Sequence, residues 1–260
     1  MLTSAGFLLF IIPLLFLSAL VYFLAKKKKP IPLPDRQVIK KILLEHVLFY
    51  KRLNDASKIV FEEKVEAFLK KIRITPVKTT VEDIDRVFAA AAAIIPIFAF
   101  EGWEYRNIHE ILLYPDSFND EFKIYGQGRN VLGMVGNGAM QNVMLLSQQD
   151  LRAGFRNTTD QSNTAIHEFV HLIDKTDGAT DGAAEAMLAH QYALPWLKQM
   201  HQEILLIREN KSDINPYGAT NEAEFLAVAS EYFFEQPHLM KEKHPELFRL
   251  LEQTFKTPSK

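Results

Sequence analysis

"AIHEFVHLIDKTDG" (residues 165–178) places two histidines four apart, with a glutamate directly after the first. On a helix of about 3.6 residues per turn, His167 and His171 lie about 40° apart on one face, close enough for both imidazoles to reach a single ion. Glu168 stands about 100° round the helix, beside that ion without needing to bind it. This is the H-E-x-x-H arrangement, in which zinc activates a water molecule and the glutamate takes its proton as the water attacks a peptide carbonyl. The alternative is a hydrogen-bonded histidine pair, half-buried on an amphipathic helix, and five residues alone do not separate the two.

Working outward, a catalytic zinc site needs a third protein ligand. Downstream, "YGATNEAEF" (residues 217–225) offers Glu224, and two neutral histidines with one carboxylate is a common set that keeps a fourth position for water. Glu224 also follows Asn221 by three residues, a capping-box-like pattern in which it would simply close the start of a helix. Glu231, seven residues on, shares its face, and Glu222 is close by. Asp174 sits three residues after His171: it either accepts the outer ring N–H of a ligand histidine or a neighbour, or belongs to the turn at Asp177–Gly178. His46, His109, His190, His201, His238 and His244 lack a partner at metal spacing and read as structural or solvent-facing.

The composition suits this chemistry. In 260 residues, 48% hydrophobic and 24% charged, there is enough apolar material for one sizeable core or two small ones. Thirty Lys and Arg against 32 Asp and Glu leave a net charge of -2 and no electrostatic reason to expect nucleic acid. Cysteine is absent, so any metal must use histidine and carboxylate.

The N-terminus differs from the rest. Residues 2–25 run without a charge, longer as a helix than the roughly 30 Å of a bilayer core, and Lys26–Lys29 follow. That order favours a transmembrane anchor over a cleaved signal peptide, whose basic residues would come first, and the positive-inside rule puts the following domain in the cytoplasm. The expectation is a single-pass protein of the inner membrane: anchor 1–25, a basic and Pro-rich linker 26–35, and a folded domain 36–258. A second apolar run, Val87–Phe100, is short and contains Pro96, so it reads as a buried core helix. Helical spacing of apolar residues recurs over 38–53, 56–74, the region broken near Pro195, 221–236 and 244–255. Short β-rich segments at 108–115, 131–135 and 140–147, punctuated by Gly126, Gly128, Gly133, Gly136 and Gly138, predict a small sheet just upstream of the histidine helix. The fold class is therefore α+β, mostly helical with a small mixed sheet.

With "HEFVHLID", "YGATNEAEFLAVASEYFF", "AFLKKIRI" and "EILLYPDSF", the chain resembles the Mlc titration factor A family of zinc peptidases over roughly residues 36–255. The "YGATNEAEF" stretch is similar as well to the catalytic domain of anthrax lethal factor. The resemblance implies a zincin-like domain holding one zinc per chain on His167, His171 and Glu224, with Glu168 as general base. It also implies that Tyr217, otherwise a turn tyrosine between Pro216 and Gly218, donates a hydrogen bond to the carbonyl oxygen under attack. A peptide or protein substrate follows, and a regulatory protein partner is possible. The anchor is a departure from the soluble members, so their link to a glucose-responsive repressor need not carry over. The alternative is a zinc-containing binding module that sequesters a partner without catalysis, but such a module requires neither Glu168 nor Tyr217.

Overall fold

Why the chain turns from helix to strand at Ile72 explains how its sheet begins. In a computed structural model, residues 32–117, 132–136, 141–157, 160–183 and 192–256 are described. The chain divides into Met1–Leu33 and Pro34–Lys260, and every element below belongs to the second unit. Helix α1 (Arg36–His46) starts at Asp35, whose carboxylate accepts the Gln37 N–H at 2.8 Å, and stops where Val47 turns extended. A short α2 (Leu48–Arg52) and a long α3 (Asp55–Lys71) follow, so the two helices expected over 38–53 and 56–74 are three. The last residues of that second stretch are not helical. Ile72 is extended, and Arg73–Pro76 form strand β1 parallel to β2 (Glu110–Tyr114), because the β-branched Ile72, Ile74 and Thr75 favour the pleat and Pro76 cannot continue a helix.

Between these strands runs α4 (Asp83–Ile97), opened by a capping box of Glu82 and Asp85 and buried from Asp85 to Ile97. The small side chains of Ala89–Ala93 let neighbouring helices approach, and Pro96 falls in the last turn, where the helix ends anyway. The sheet is completed by β4 (Val143–Ser147), parallel to β2, and by β3 (Gly133–Val135), antiparallel to β4. Among the described residues it has four strands in the order β1-β2-β4-β3, which leaves β3 at an edge. After it come α5 (Gln148–Arg156), α6 (Thr164–Asp174) with a 3-10 turn at Lys175–Asp177, α7 (Ala193–Arg208), a 3-10 turn at Pro216–Ala219, α8 (Glu222–Glu235), α9 (Pro237–Lys243) and α10 (Pro245–Lys256). Pro195 sits in the first turn of α7, where no N–H is required, and residues 184–191 of the region expected to break near it lie outside the described residues. The fold is mostly helical with a small mixed sheet, α+β as the pattern predicts. Helix α6 is enclosed by α4, α5, α8 and β3, so its histidine face meets α8 at the edge of the core.

The membrane-spanning helix expected over 2–25, and most of the linker 26–35, lie outside the described residues, as do Gly126, Gly128, Gly138 and His190. Among the described residues no helix is long and apolar enough to cross a membrane. The expectation of a single-pass protein with its domain at the cytoplasmic face is corrected on that finding. The most apolar described helix, α4, has 15 residues, about 22 Å against a bilayer core of roughly 30 Å, and is enclosed by protein.

Candidate metal centre

Asn163 fixes where α6 begins: its side chain accepts the Ile166 N–H at 3.2 Å and donates to the Gly154 carbonyl of α5 at 3.1 Å. From that start the four-residue spacing turns His167 and His171 toward α8. There, the Asn221 side chain accepts the Glu224 N–H at 2.9 Å. The capping reading and the ligand reading of Glu224 are thus compatible, since the cap uses its backbone and leaves its carboxylate free to face the histidines.

Three atoms converge. His167 Nε2 lies 3.0 Å from His171 Nε2 and 2.9 Å from Glu224 Oε2, and His171 Nε2 lies 3.3 Å from the same oxygen. The outer nitrogen of His167, Nδ1, lies 2.7 Å from Glu231 Oε1, and that carboxylate also accepts the Asn163 N–H. An Nδ1–H donated to Glu231 leaves Nε2 with a lone pair. Lone pairs so close together repel unless a positive charge lies among them. A proton on Nε2 meets the same demand for positive charge that a cation would: burial by itself opposes a charged His167, yet its hydrogen bonds with Glu224 and Glu231 and the charges of Glu231 and Glu168 raise its pKa to about 10. Burial likewise acts to raise the Glu224 pKa, and the bonds from both histidines overcome it and hold the carboxyl well below the usual range. Ligands about 2.0–2.2 Å from a tetrahedral ion lie about 3.3–3.5 Å from one another, close to these separations. The donor set therefore fits a small divalent cation. Among the described residues this is the one group of three histidine or acidic side chains so arranged.

Glu168 is buried beside the cluster, against Gly133 of β3. A Cβ at Gly133 would lie 2.7 Å from Glu168 Cγ and 2.9 Å from Thr164 Cγ2, so only glycine lets the edge strand lie flat on α6 here. Burial raises the Glu168 pKa, the two histidines oppose that, and Glu224 and Glu231 add to it. Tyr217, on the 3-10 turn, is held by its N–H to the Asn215 side chain at 3.0 Å and remains 53% exposed. Its ring centre is 6.0 Å from that of His167. Burial and the charges of Glu224 and Glu168 raise its phenol pKa. All five sequence-selected residues, His167, Glu168, His171, Tyr217 and Glu224, line one cavity of about 410 Å³.

Glu231 is the residue that spacing underrated. It shares the Glu224 face two turns on, and its partner is the outer nitrogen of His167. Asp174, read as a histidine partner or a turn residue, accepts the Gly182 N–H at 3.0 Å. His244 belongs to the structural class: it is half-buried and paired with Glu203 and Asp213.

Known proteins match the chain over most of its length. The sequence profile described as "Glucose-regulated metallo-peptidase M90" matches residues 25–256. An uncharacterized protein of Synechocystis sp. is 27% identical over 241 residues, covering 88% of this chain and 85% of its own length. The Mlc titration factor A of Pectobacterium atrosepticum is 26% identical over 206 residues, covering 74% and 76%. That of Escherichia fergusonii is 29% identical over 201 residues, covering 71% and 73%.

Proposed function

This chain belongs to the glucose-regulated metallo-peptidase M90 family, and from that premise we propose that it is a zinc-dependent peptidase whose catalytic domain spans residues 36–258. His167, His171 and Glu224 hold one zinc ion per chain. The bound ion supplies Lewis-acid polarisation of the substrate carbonyl and makes a water molecule easier to deprotonate at neutral pH. Glu168 accepts that proton on its carboxylate and delivers it to the departing amide nitrogen, a task suited to a buried carboxyl whose pKa is raised. Tyr217 donates its hydroxyl hydrogen to the carbonyl oxygen as negative charge gathers there. Glu231 keeps the His167 ring in one tautomer and one orientation.

The observation that carries this reading is the meeting of three lone-pair atoms, each pair 2.9–3.3 Å apart, in the same cavity as Glu168. A second reading, a module that sequesters a regulatory protein, is favoured by the name of the Mlc titration factor A relatives. The two separate on Glu168→Gln. The purified chain should carry one zinc, and Glu168→Gln should keep zinc and fold while losing nearly all cleavage of a peptide library. Wild-type protein that is loaded with zinc and cleaves nothing would favour the sequestering module instead.

A further inference from the structure

The peptide at Gly182 is pinned from three directions. Its N–H donates to Asp174 Oδ2 at 3.0 Å, at the end of the histidine helix α6. Its carbonyl accepts the indole N–H of Trp196 in α7 at 2.6 Å. Its α-carbon lies on the first turn of α8: a Cβ there would be 2.2 Å from the Glu222 carbonyl oxygen, 2.6 Å from its carbon and 3.2 Å from the Ala223 nitrogen. Gly182 has φ +74°, a conformation that glycine adopts without penalty. Asp174 and Trp196 are each 1% exposed, so both bonds are shielded from water and from competing partners.

These contacts join the two halves of the metal centre. Two donors come from α6 and one from the first turn of α8, and helix packing alone tolerates shifts larger than a coordination bond does. We propose that Asp174, Gly182 and Trp196 form a positioning clamp that sets the Glu224 carboxylate against His167 and His171. None of the three touches the ion. The chain of contact is Asp174 to the Gly182 N–H, Gly182 to the Glu222–Ala223 peptide, and that peptide to Glu224 one residue further on. Trp196 closes the clamp from behind, and its ring lies 6.1 Å from that of Phe225, the residue after Glu224. The proposal rests on the reading of His167, His171 and Glu224 as metal ligands.

The test measures zinc affinity by chelator competition on the full chain, together with the visible spectrum of the cobalt(II) form, which reports ligand geometry independently of activity. Gly182→Ala forces a methyl group into the Glu222 carbonyl and should weaken zinc binding by about 10–100-fold, the range for outer contacts of a metal site. Asp174→Ala should do the same, and Asp174→Asn, which keeps an acceptor oxygen, should recover most of the affinity. Trp196→Phe removes the indole N–H together with the five-membered ring that carries it, leaves the Asp174 bond to Gly182 in place and should give a smaller loss, which keeps the test available if Gly182→Ala does not fold. The decisive comparison repeats the clamp variants in a Glu224→Ala background, where they should cause no further loss because the residue they position is gone. Equal losses in both backgrounds, or none in the wild-type background, overturn the clamp. If Glu224→Ala binds zinc as tightly as wild type, the ligand assignment itself falls and the clamp falls with it.

Discussion

Tyr217 shows how one hydroxyl separates two roles for a side chain. It is half exposed on a 3-10 turn, the setting of an ordinary turn tyrosine, yet its ring lies 6.0 Å from His167 and its phenol senses the charges of Glu224 and Glu168. Tyr217→Phe removes the hydroxyl and little packing. If that hydroxyl meets the carbonyl oxygen only as charge develops, kcat should fall by about 10²–10³ with KM nearly unchanged. A tyrosine serving only the turn would give unchanged turnover and a small shift in melting temperature. Steady-state kinetics on one peptide substrate distinguishes the two. The H-E-x-x-H residues were legible in the sequence because four-residue spacing on a helix is a local property. Tyr217 was legible only through resemblance, since nothing in its own neighbourhood tells a turn tyrosine from one facing the cavity.

Between elements, a polar joint of four hydrogen bonds lies at the start of α4. Asp85 is fully buried and receives Arg152 of α5 through Nε at 2.6 Å and Nη2 at 2.9 Å, Gln148 Nε2 at 2.7 Å and the Glu82 N–H at 2.8 Å. It closes the capping box of α4 and at the same time ties that helix to the one that follows β4. Asp85→Ala would leave the Arg152 guanidinium without its buried partner. The expected loss is about 3–5 kcal/mol in urea unfolding, the cost of breaking one side of a buried ion pair. A loss under about 1 kcal/mol would mark the pair as no stronger than a surface bridge. The apolar run of α4 was legible as a core helix from its length and Pro96, whereas the partner of Asp85 was not, because it lies 67 residues away in sequence.

For the molecule as a whole, three groups outside the metal cluster contribute to the dependence of stability on pH. His244 lies between Glu203 and Asp213; burial lowers its pKa, but those two hydrogen bonds raise it above 6.5. Its contribution is complete below about 6.5 and is lost as pH rises through the raised value. Burial pushes the Glu235 carboxyl up, helped by Glu231 and Asp160, to about 9 from 4.5. Its contribution is complete below 4.5 and is lost between there and about 9. Asp213 runs the other way. Burial would raise it, yet Lys243, His244 and Tyr232 bring it from 3.8 to about 2, so its contribution is present above 3.8 and lost as pH falls through about 2. Stability should therefore decline from about pH 5 to pH 9, and Glu235→Gln, neutral at every pH, should make that decline shallower. Urea midpoints of both proteins across this range provide the check, and parallel profiles would mean that Glu235 ionises as freely in the fold as in the unfolded chain.

The amino-acid sequence by itself determined what is local or periodic: the helix that carries His167, Glu168 and His171, the β-rich segments upstream of it, a buried helix within the apolar run 87–100, which ends at Ile97, and the exclusion of thiolate chemistry. Where two local tendencies competed, as at Ile72–Pro76, periodicity extended a helix into what β2 recruits as a strand. Only the tertiary structure decided which acidic side chain faces the histidines. Glu224, Glu222 and Glu231 lie within ten residues of one another, and the sequence ranks them by pattern alone. The packing of α8 on α6 gives Glu224 Oε2 to both histidines and Glu231 to the outer nitrogen of His167, while Glu222 turns toward His201. The physical reason is reach: a coordination bond spans about 2 Å, and only the relative setting of two helices, fixed by contacts remote in sequence, resolves positions that finely.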